Sequence, residues 1–247
     1  MRVLLTRPRA DSETLARRLG QAGIDSLIAP MLEIVPRAKI ALDLDRVQAL
    51  LVTSVNGARA LSDHPDAHAL PLFAVGQASA DAAREAGFGK VTTADGDVAD
   101  LAGLVARRLD PAAGALLHVG GAELAGDLGG ALAASGFDYR RVVLYDAKPA
   151  TALAPEVLAA LVACRIDAVM FFSPRSARQF VQLTAILDRS WARPVSAYCL
   201  SAAVAKACAG PDWRRIMVAP RPAAEPLIAR VLADAASERN PTESERP

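Results

Sequence analysis

Two short stretches place hydroxyl groups where a strand hands over to a helix. "LVTSVN" (51–56) and "FFSPRS" (171–176) each close an apolar run on a serine, Ser54 and Ser173, which stand 173 − 54 = 119 positions apart. The order strand, polar elbow, helix predicts that both serines cap a helix. The amides behind such a cap are unpaired and sit at the positive end of the helix dipole. Pro174 suits the first helical turn, where no N–H donor is missed. An elbow of this kind either merely caps or also holds an anion. Two at matching places favour the second reading, because helix N-termini at the carboxyl ends of parallel strands point into a ligand crevice. A third elbow, "AVGQASADAA" (74–83), offers Gly76 for close backbone approach and Ser79 in the first helical turn. Its echo, "CLSAAVAKA" (199–207), carries Ser201 and Val204 at the matching positions.

Other residues could act on a ligand held there. Arg7 and Arg9 in "LLTRPRA" (4–10) follow a strand's carboxyl end, where a guanidinium either forks onto a carboxylate or is simply solvated. Tyr145 closes "YRRVVLY" (139–145); its phenol could donate to a leaving oxygen, or it is an amphipathic interface residue. "HVGGAELAGDLGG" (118–130) is glycine-rich but lacks both G-x-G-x-x-G and a Gly-Lys-Ser/Thr ending, so no dinucleotide site is expected. Backbone amides for some anion, or a tight turn, remain. His64, His68 and His118 show no metal-ligand spacing, and His64 and His68 are expected to be solvated. There is no G-x-S-x-G and no paired-carboxylate pattern, so no conventional nucleophile–base or acid–base set stands out.

Composition narrows the classes further. Lys and Arg number 28 against 27 Asp and Glu, a net charge of +1, so no global field draws nucleic acid or an anionic membrane. An anionic ligand has to be caught by local geometry. The apolar run at the N-terminus is too short to be a signal peptide or a span, which leads to the expectation of a cytoplasmic protein. Three cysteines without C-x-x-C spacing read as free, mostly buried thiols. Residues 237–247, polar and proline-containing, read as a disordered tail.

The elements that must position these groups alternate. Apolar runs at 2–6, 25–29, 49–53, 72–75, 115–119, 138–145, 166–172, 195–200 and 214–218 are separated by helical patterns, the first over 11–23 with Asp11 or Ser12 as cap and Gly23 as stop. With aromatics at only 4%, the core must be Ala, Leu and Val, which suits parallel sheets covered by Ala-rich helices. The chain also repeats itself. Residues 4–24 resemble 116–137, with Leu19 and Gly23 matching Leu132 and Gly136 at an offset of 113. Residues 51–62 resemble 170–181 and 72–87 resemble 197–210, so the order is A, B, A′, B′. The chain could be cut near 111 or interleaved. Two alike connectors, 31–43 and 144–156, favour interleaving: one lobe from 1–36 with 151–236, a second from 41–146, and a two-stranded linker.

With those residues in view, the chain resembles the uroporphyrinogen-III synthase family over about 1–232. The resemblance rests on "LLTRP" (4–8), "TSVNGA" (53–58), "AVGQASADA" (74–82), "VLYDAKP" (143–149), "FFSPRSARQF" (171–180) and "AEPLIARVL" (224–232) in that order. It implies two α/β lobes with parallel sheets, interleaved in sequence. It implies that hydroxymethylbilane, a linear tetrapyrrole bearing eight carboxylates, is dehydrated and closed to uroporphyrinogen III with inversion of the last ring, without metal or cofactor. Carried over residue by residue, Tyr145 matches the cleft tyrosine that assists departure of the hydroxyl. Thr53, Ser54 and Asn56 match one elbow, Gly76 and Ser79 a second, Arg7 the "TRP" start, and Phe172, Ser173 and Pro174 the elbow of the other lobe. Arg175, Ser201 and Val204 depart from the pattern; Val204 removes a hydroxyl from the expected cleft. A monomer is expected, with transient contact to the preceding pathway enzyme. A non-catalytic two-lobed binder of small anions is the competing reading.

Overall fold

The structure, a computed structural model, describes residues 1–38, 40–124 and 126–239. In chain order the elements are β1 (Arg2–Leu5), α1 (Arg9–Gln21), β2 (Asp25–Ile28), β3 (Leu32–Pro36), β4 (Val47–Val52), α2 (Val55–Ala60), β5 (Leu72–Ala74), α3 (Gln77–Glu85), β6 (Val91–Thr93) and α4 (Val98–Arg108). They continue as β7 (Ala115–Gly121), α5 (Leu128–Ala134), β8 (Tyr139–Pro149), α6 (Pro155–Val162), β9 (Ala168–Phe171), α7 (Pro174–Thr184), β10 (Ser196–Cys199), α8 (Ala202–Ala207), β11 (Arg215–Val218) and α9 (Ala224–Arg239). Every strand run foreseen from the apolar pattern is present. β6 was not foreseen, because three half-buried residues carry too short an alternation to stand out.

The chain divides into two compact units. Met1–Glu33 together with the chain from Lys148 forms the first, and Ile34–Ala147 the second. The first unit holds a five-stranded sheet in the order β11-β10-β9-β1-β2. All four of its pairings are parallel. The second sheet runs β3-β8-β7-β4-β5-β6, with the pairings from β8 through β6 parallel. The two crossings between units fall inside β3 and β8. β7 is buried at all seven residues and β4 at five of six, as strands covered by helices on both faces must be.

The repeats map onto this topology. A and A′ are β1-α1-β2 and β7-α5-β8; B and B′ are β4-α2-β5-α3-β6 and β9-α7-β10-α8-β11. A shares a sheet with B′, and A′ with B. The matched glycines are matched helix stops. Gly23 (φ +70°) donates to Gly20 while Ile24 donates to Leu19; Gly136 (φ +83°) donates to Ala133 while Phe137 donates to Leu132. Both are Schellman closures, and the left-handed residue they need is cheapest as glycine.

Two sequence expectations are corrected. Helix α1 begins at Arg9 with Pro8 as its N-cap, so Asp11 and Ser12 lie inside the first turn, where Asp11 favours the dipole. Residues 237–239 of the expected disordered tail are helical in α9, and 240–247 lie outside the described residues. The cysteines agree with the expectation of free, mostly buried thiols: Cys199 and Cys208 are buried and Cys164 is exposed.

Candidate active site

Each sheet has one place where the chain reverses its direction of winding. In the second unit β4 is followed outward by β5 and β6, and the chain then returns to lay β7 and β8 on the other side. The switch lies between β4 and β7. In the first unit it lies between β1 and β9 by the same argument. Open α/β sheets bind ligands at the carboxyl ends of the strands flanking such a switch. Most of the residues singled out from the sequence stand at these two edges.

In the second unit, β4 ends at Val52, and Thr53 and Ser54 make the elbow into α2. Ser54 is the N-cap (φ −153°, ψ 153°), and its Oγ accepts the Gly57 amide at 3.0 Å. The same Oγ stands 2.9 Å from the phenol oxygen of Tyr145 on β8. Thr53 Oγ1 lies 3.1 Å from His118 Nε2, and His118 Nδ1 lies 2.6 Å from the Tyr139 phenol. Asn56 sits half-buried in the first turn of α2. Gly76 is the N-cap of α3, and a Cβ built on it would meet nothing within 4 Å. No neighbouring atom therefore crowds the backbone on the side where a side chain would stand. Ser79 lies in the first turn of α3, as expected, and is only 5% exposed, on the inward side of that helix.

In the first unit, Arg7 follows β1 and Phe172 follows β9. The guanidinium lies 4.9 Å over the Phe172 ring and donates to Asp11 at 2.9 Å. A cation over an aromatic face is attracted by the ring quadrupole, and the pair holds the arginine at the edge of the switch. Ser173 (φ −147°, ψ 150°) caps α7 by accepting the Ser176 amide, and Pro174 takes the first helical position. Val204 occupies the third position of α8, 1% exposed in the apolar core. Ser79 occupies the third position of α3 and is likewise inward. A hydroxyl at that helical position faces the core, so the valine takes nothing from the edge.

His118 is the residue that sequence reasoning set aside and the structure brings in. It is 1% exposed in the middle of the second sheet, hydrogen-bonded on both ring nitrogens. Burial, reinforced by the neighbouring Arg141 charge, lowers its pKa to about 4, so the ring is neutral at neutral pH. Burial also raises the Tyr139 phenol. A histidine inside "ALLHVGG" (115–121) is the one signal available: a polar ring in a central strand must find partners. His68, expected in solvent, is half-buried edge-on against Phe88 at 4.6 Å. Among the described residues no group of three or more His, Cys, Asp or Glu side chains could hold a metal ion.

The family model described as uroporphyrinogen-III synthase HemD matches residues 13–229. The chain belongs to the uroporphyrinogen-III synthase family. Among solved structures, it is similar to the uroporphyrinogen-III synthetase of Helicobacter pylori, at 18% identity, a TM-score of 0.63, and coverage of 94% of this chain and 99% of that one. It is also similar to a mutant uroporphyrinogen III synthase of Thermus thermophilus, at 18% identity, a TM-score of 0.54, and coverage of 96% and 99%. At these identities the likeness speaks for the fold. None of the curated proteins matches the chain in sequence. Membership of the uroporphyrinogen-III synthase family makes the chain an enzyme of tetrapyrrole biosynthesis, not a non-catalytic anion-binding module. Among the described residues no helix is long and apolar enough to cross a membrane.

Proposed function

We propose that the chain converts hydroxymethylbilane to uroporphyrinogen III, acting as a cyclising hydro-lyase, with Tyr145 as the residue that assists departure of the hydroxyl. The observation that carries this reading is the Ser54–Tyr145 contact of 2.9 Å at the carboxyl edge of the second sheet, in a chain of this family. The pyrroles of the substrate themselves expel the hydroxyl, leaving an electrophilic azafulvene. A phenol donating to the departing oxygen lowers that barrier, and such proton delivery is worth about 10²–10⁴-fold in favourable cases.

The remaining task is to hold a flexible polyanion. Arg7, Phe172, Ser173 and Pro174 in the first unit, and Thr53, Ser54, Asn56, Gly76 and Ser79 in the second, are the proposed binding positions. Amides at the starts of α2, α3 and α7 supply donors without full positive charges, which agrees with a net charge of +1. Ser79 contributes through its place in the first turn of α3 rather than through its buried hydroxyl. Directing attack to the inverted carbon by about 100-fold needs only about 2.7 kcal/mol of differential stabilisation, within reach of positioning alone. The proposed lobes are 1–36 with 151–236 and 41–146. We also propose a cytoplasmic monomer that meets the preceding pathway enzyme transiently.

The test supplies enzymatically generated hydroxymethylbilane and resolves the products by isomer. Type III product well above the protein-free rate is expected. Type I product alone would overturn the assignment.

A further inference from the structure

Three features converge on Tyr145. The first is a β-bulge. Along β7 and β8, Gly120 pairs with Val143 but Gly121 pairs with Tyr145, so Leu144 is skipped. Bulges re-aim side chains. Here Leu144 turns into the apolar core, and Tyr145 comes beside Gly121. The second is Gly121 itself. A Cβ there would stand 2.7 Å from Cε2 and Cζ of the Tyr145 ring. Only a residue without a side chain lets the ring lie where it does. Arg141 donates to the carbonyls of Gly121 and Ala122, and the Ala122 amide donates to the Tyr145 carbonyl at 3.1 Å, which ties the glycine and the tyrosine together. The third is Ser54, whose oxygen is pinned by the Gly57 amide while its O–H can still rotate.

We propose that Gly121 and Ser54 form a seat for Tyr145: Gly121 fixes the plane of the ring, and Ser54 is a positioning residue that exchanges the direction of its hydrogen bond as the phenol gives up its proton. This deepens, and rests on, the reading of Tyr145 as the proton donor. Before reaction the phenol, the stronger donor, points its proton at Ser54 Oγ. When a departing hydroxyl takes the phenol's donation, the Ser54 O–H turns to donate to the phenol oxygen. The substrate C–O bond then breaks, the phenol proton leaves with that oxygen as water, and Ser54 stabilises the phenolate. The phenolate recovers a proton from the pyrrole carbon that loses one when the new C–C bond forms. No oxidant or further reactant is needed.

The closing experiment has a kinetic and a spectroscopic arm. Ser54→Gly keeps most of the capping, since glycine is tolerated at an N-cap, but removes the hydroxyl. It is expected to lower kcat about 10-fold with KM within about twofold, and Ser54→Thr is expected to return kcat to within about threefold. Gly121→Ala is expected to lower kcat by at least as much as Ser54→Gly. In a Tyr145→Phe background neither substitution should cost more than about twofold. In the second arm, ring-labelled tyrosine is observed by NMR, with the Tyr145 signal identified by its loss in Tyr145→Phe. Ser54→Gly and Gly121→Ala should each shift that signal and leave Tyr198 unmoved. An unmoved Tyr145 signal in Ser54→Gly, or a full kinetic cost of Ser54→Gly persisting in Tyr145→Phe, overturns the seat. If the signals move but Tyr145→Phe turns over at the normal rate, the seat stands and the role of Tyr145 as proton donor falls. Should Gly121→Ala fail to fold, the Ser54 series decides alone.

Discussion

The elbows at Ser54 and Ser173 have nearly the same backbone and different chemistry. Both serines are extended N-caps after a buried strand, at φ −153° and −147°, and both accept the amide three residues on. The difference lies in that third residue. In the first unit it is Ser176, 5% exposed, and Ser173 Oγ donates to its hydroxyl at 3.0 Å. The Ser173 proton is engaged within the elbow. In the second unit the third residue is Gly57, where a Cβ would stand 2.9 Å from the Val119 carbonyl oxygen. With no hydroxyl there, Ser54 is left to meet Tyr145. One elbow is closed on itself and offers backbone amides; the other turns its hydroxyl to a phenol. The same supersecondary unit turns its capping hydroxyl inward or outward according to whether its third helical residue has a hydroxyl of its own.

The comparison can be broken or sharpened in four ways. The largest effect is expected for Tyr145→Phe, with kcat about 10²-fold lower and the proportion of type III isomer largely retained, because the role proposed for the phenol is in departure and not in orientation. The measurement is product formation resolved by isomer; a matching loss of type III selectivity would move Tyr145 into the orienting set. Next comes Arg7→Ala, which removes a cation that the Phe172 ring holds at the first switch. Charge-assisted hydrogen bonds contribute about 1.5–3 kcal/mol, so KM should rise about 10-fold with kcat nearly unchanged. Steady-state kinetics that showed a fall in kcat alone would erase the contrast between a binding unit and a proton-handling one.

The third concerns pH. His118 is held neutral in the folded chain, with its pKa lowered from 6.5 to about 4. Between those values the unfolded chain binds a proton that the folded chain does not. The stability it contributes is therefore whole above about pH 6.5 and is lost as the pH falls toward 4. Denaturant unfolding should show a slope shallower by about 1 kcal/mol per pH unit in His118→Gln over that window. An unchanged slope would mean that the imidazole is charged or exposed. The smallest effect is expected for Val204→Thr. Turnover should stay within about twofold, while the melting temperature falls modestly because a hydroxyl enters an apolar core. A large gain in activity would return that position to the edge of the site.

Much of the fold was legible because it is written in local patterns. Apolar runs, capping serines and stop glycines each act within a few residues, and they placed nearly all the strands and the elbows at Thr53–Ser54, Gly76 and Phe172–Ser173. Repeats A, B, A′ and B′ were legible for the same reason. The start of α1 was misjudged because Asp11 has the composition of a cap, whereas Pro8 needs no amide partner and begins the helix earlier.

The sequence by itself determined which residues carry hydroxyls, which glycines stop helices and which elbows leave amides unpaired, since these follow from single residues and their nearest neighbours. Only the tertiary structure decided that His118 joins Thr53 to Tyr139, that Val204 and Ser79 face inward, and that Tyr145 lies on Gly121 with its phenol on Ser54. Those facts depend on which strands become neighbours and on one skipped residue in β8. Strand order and register are settled by packing across the whole sheet, and a one-residue slip changes the face that every later side chain occupies.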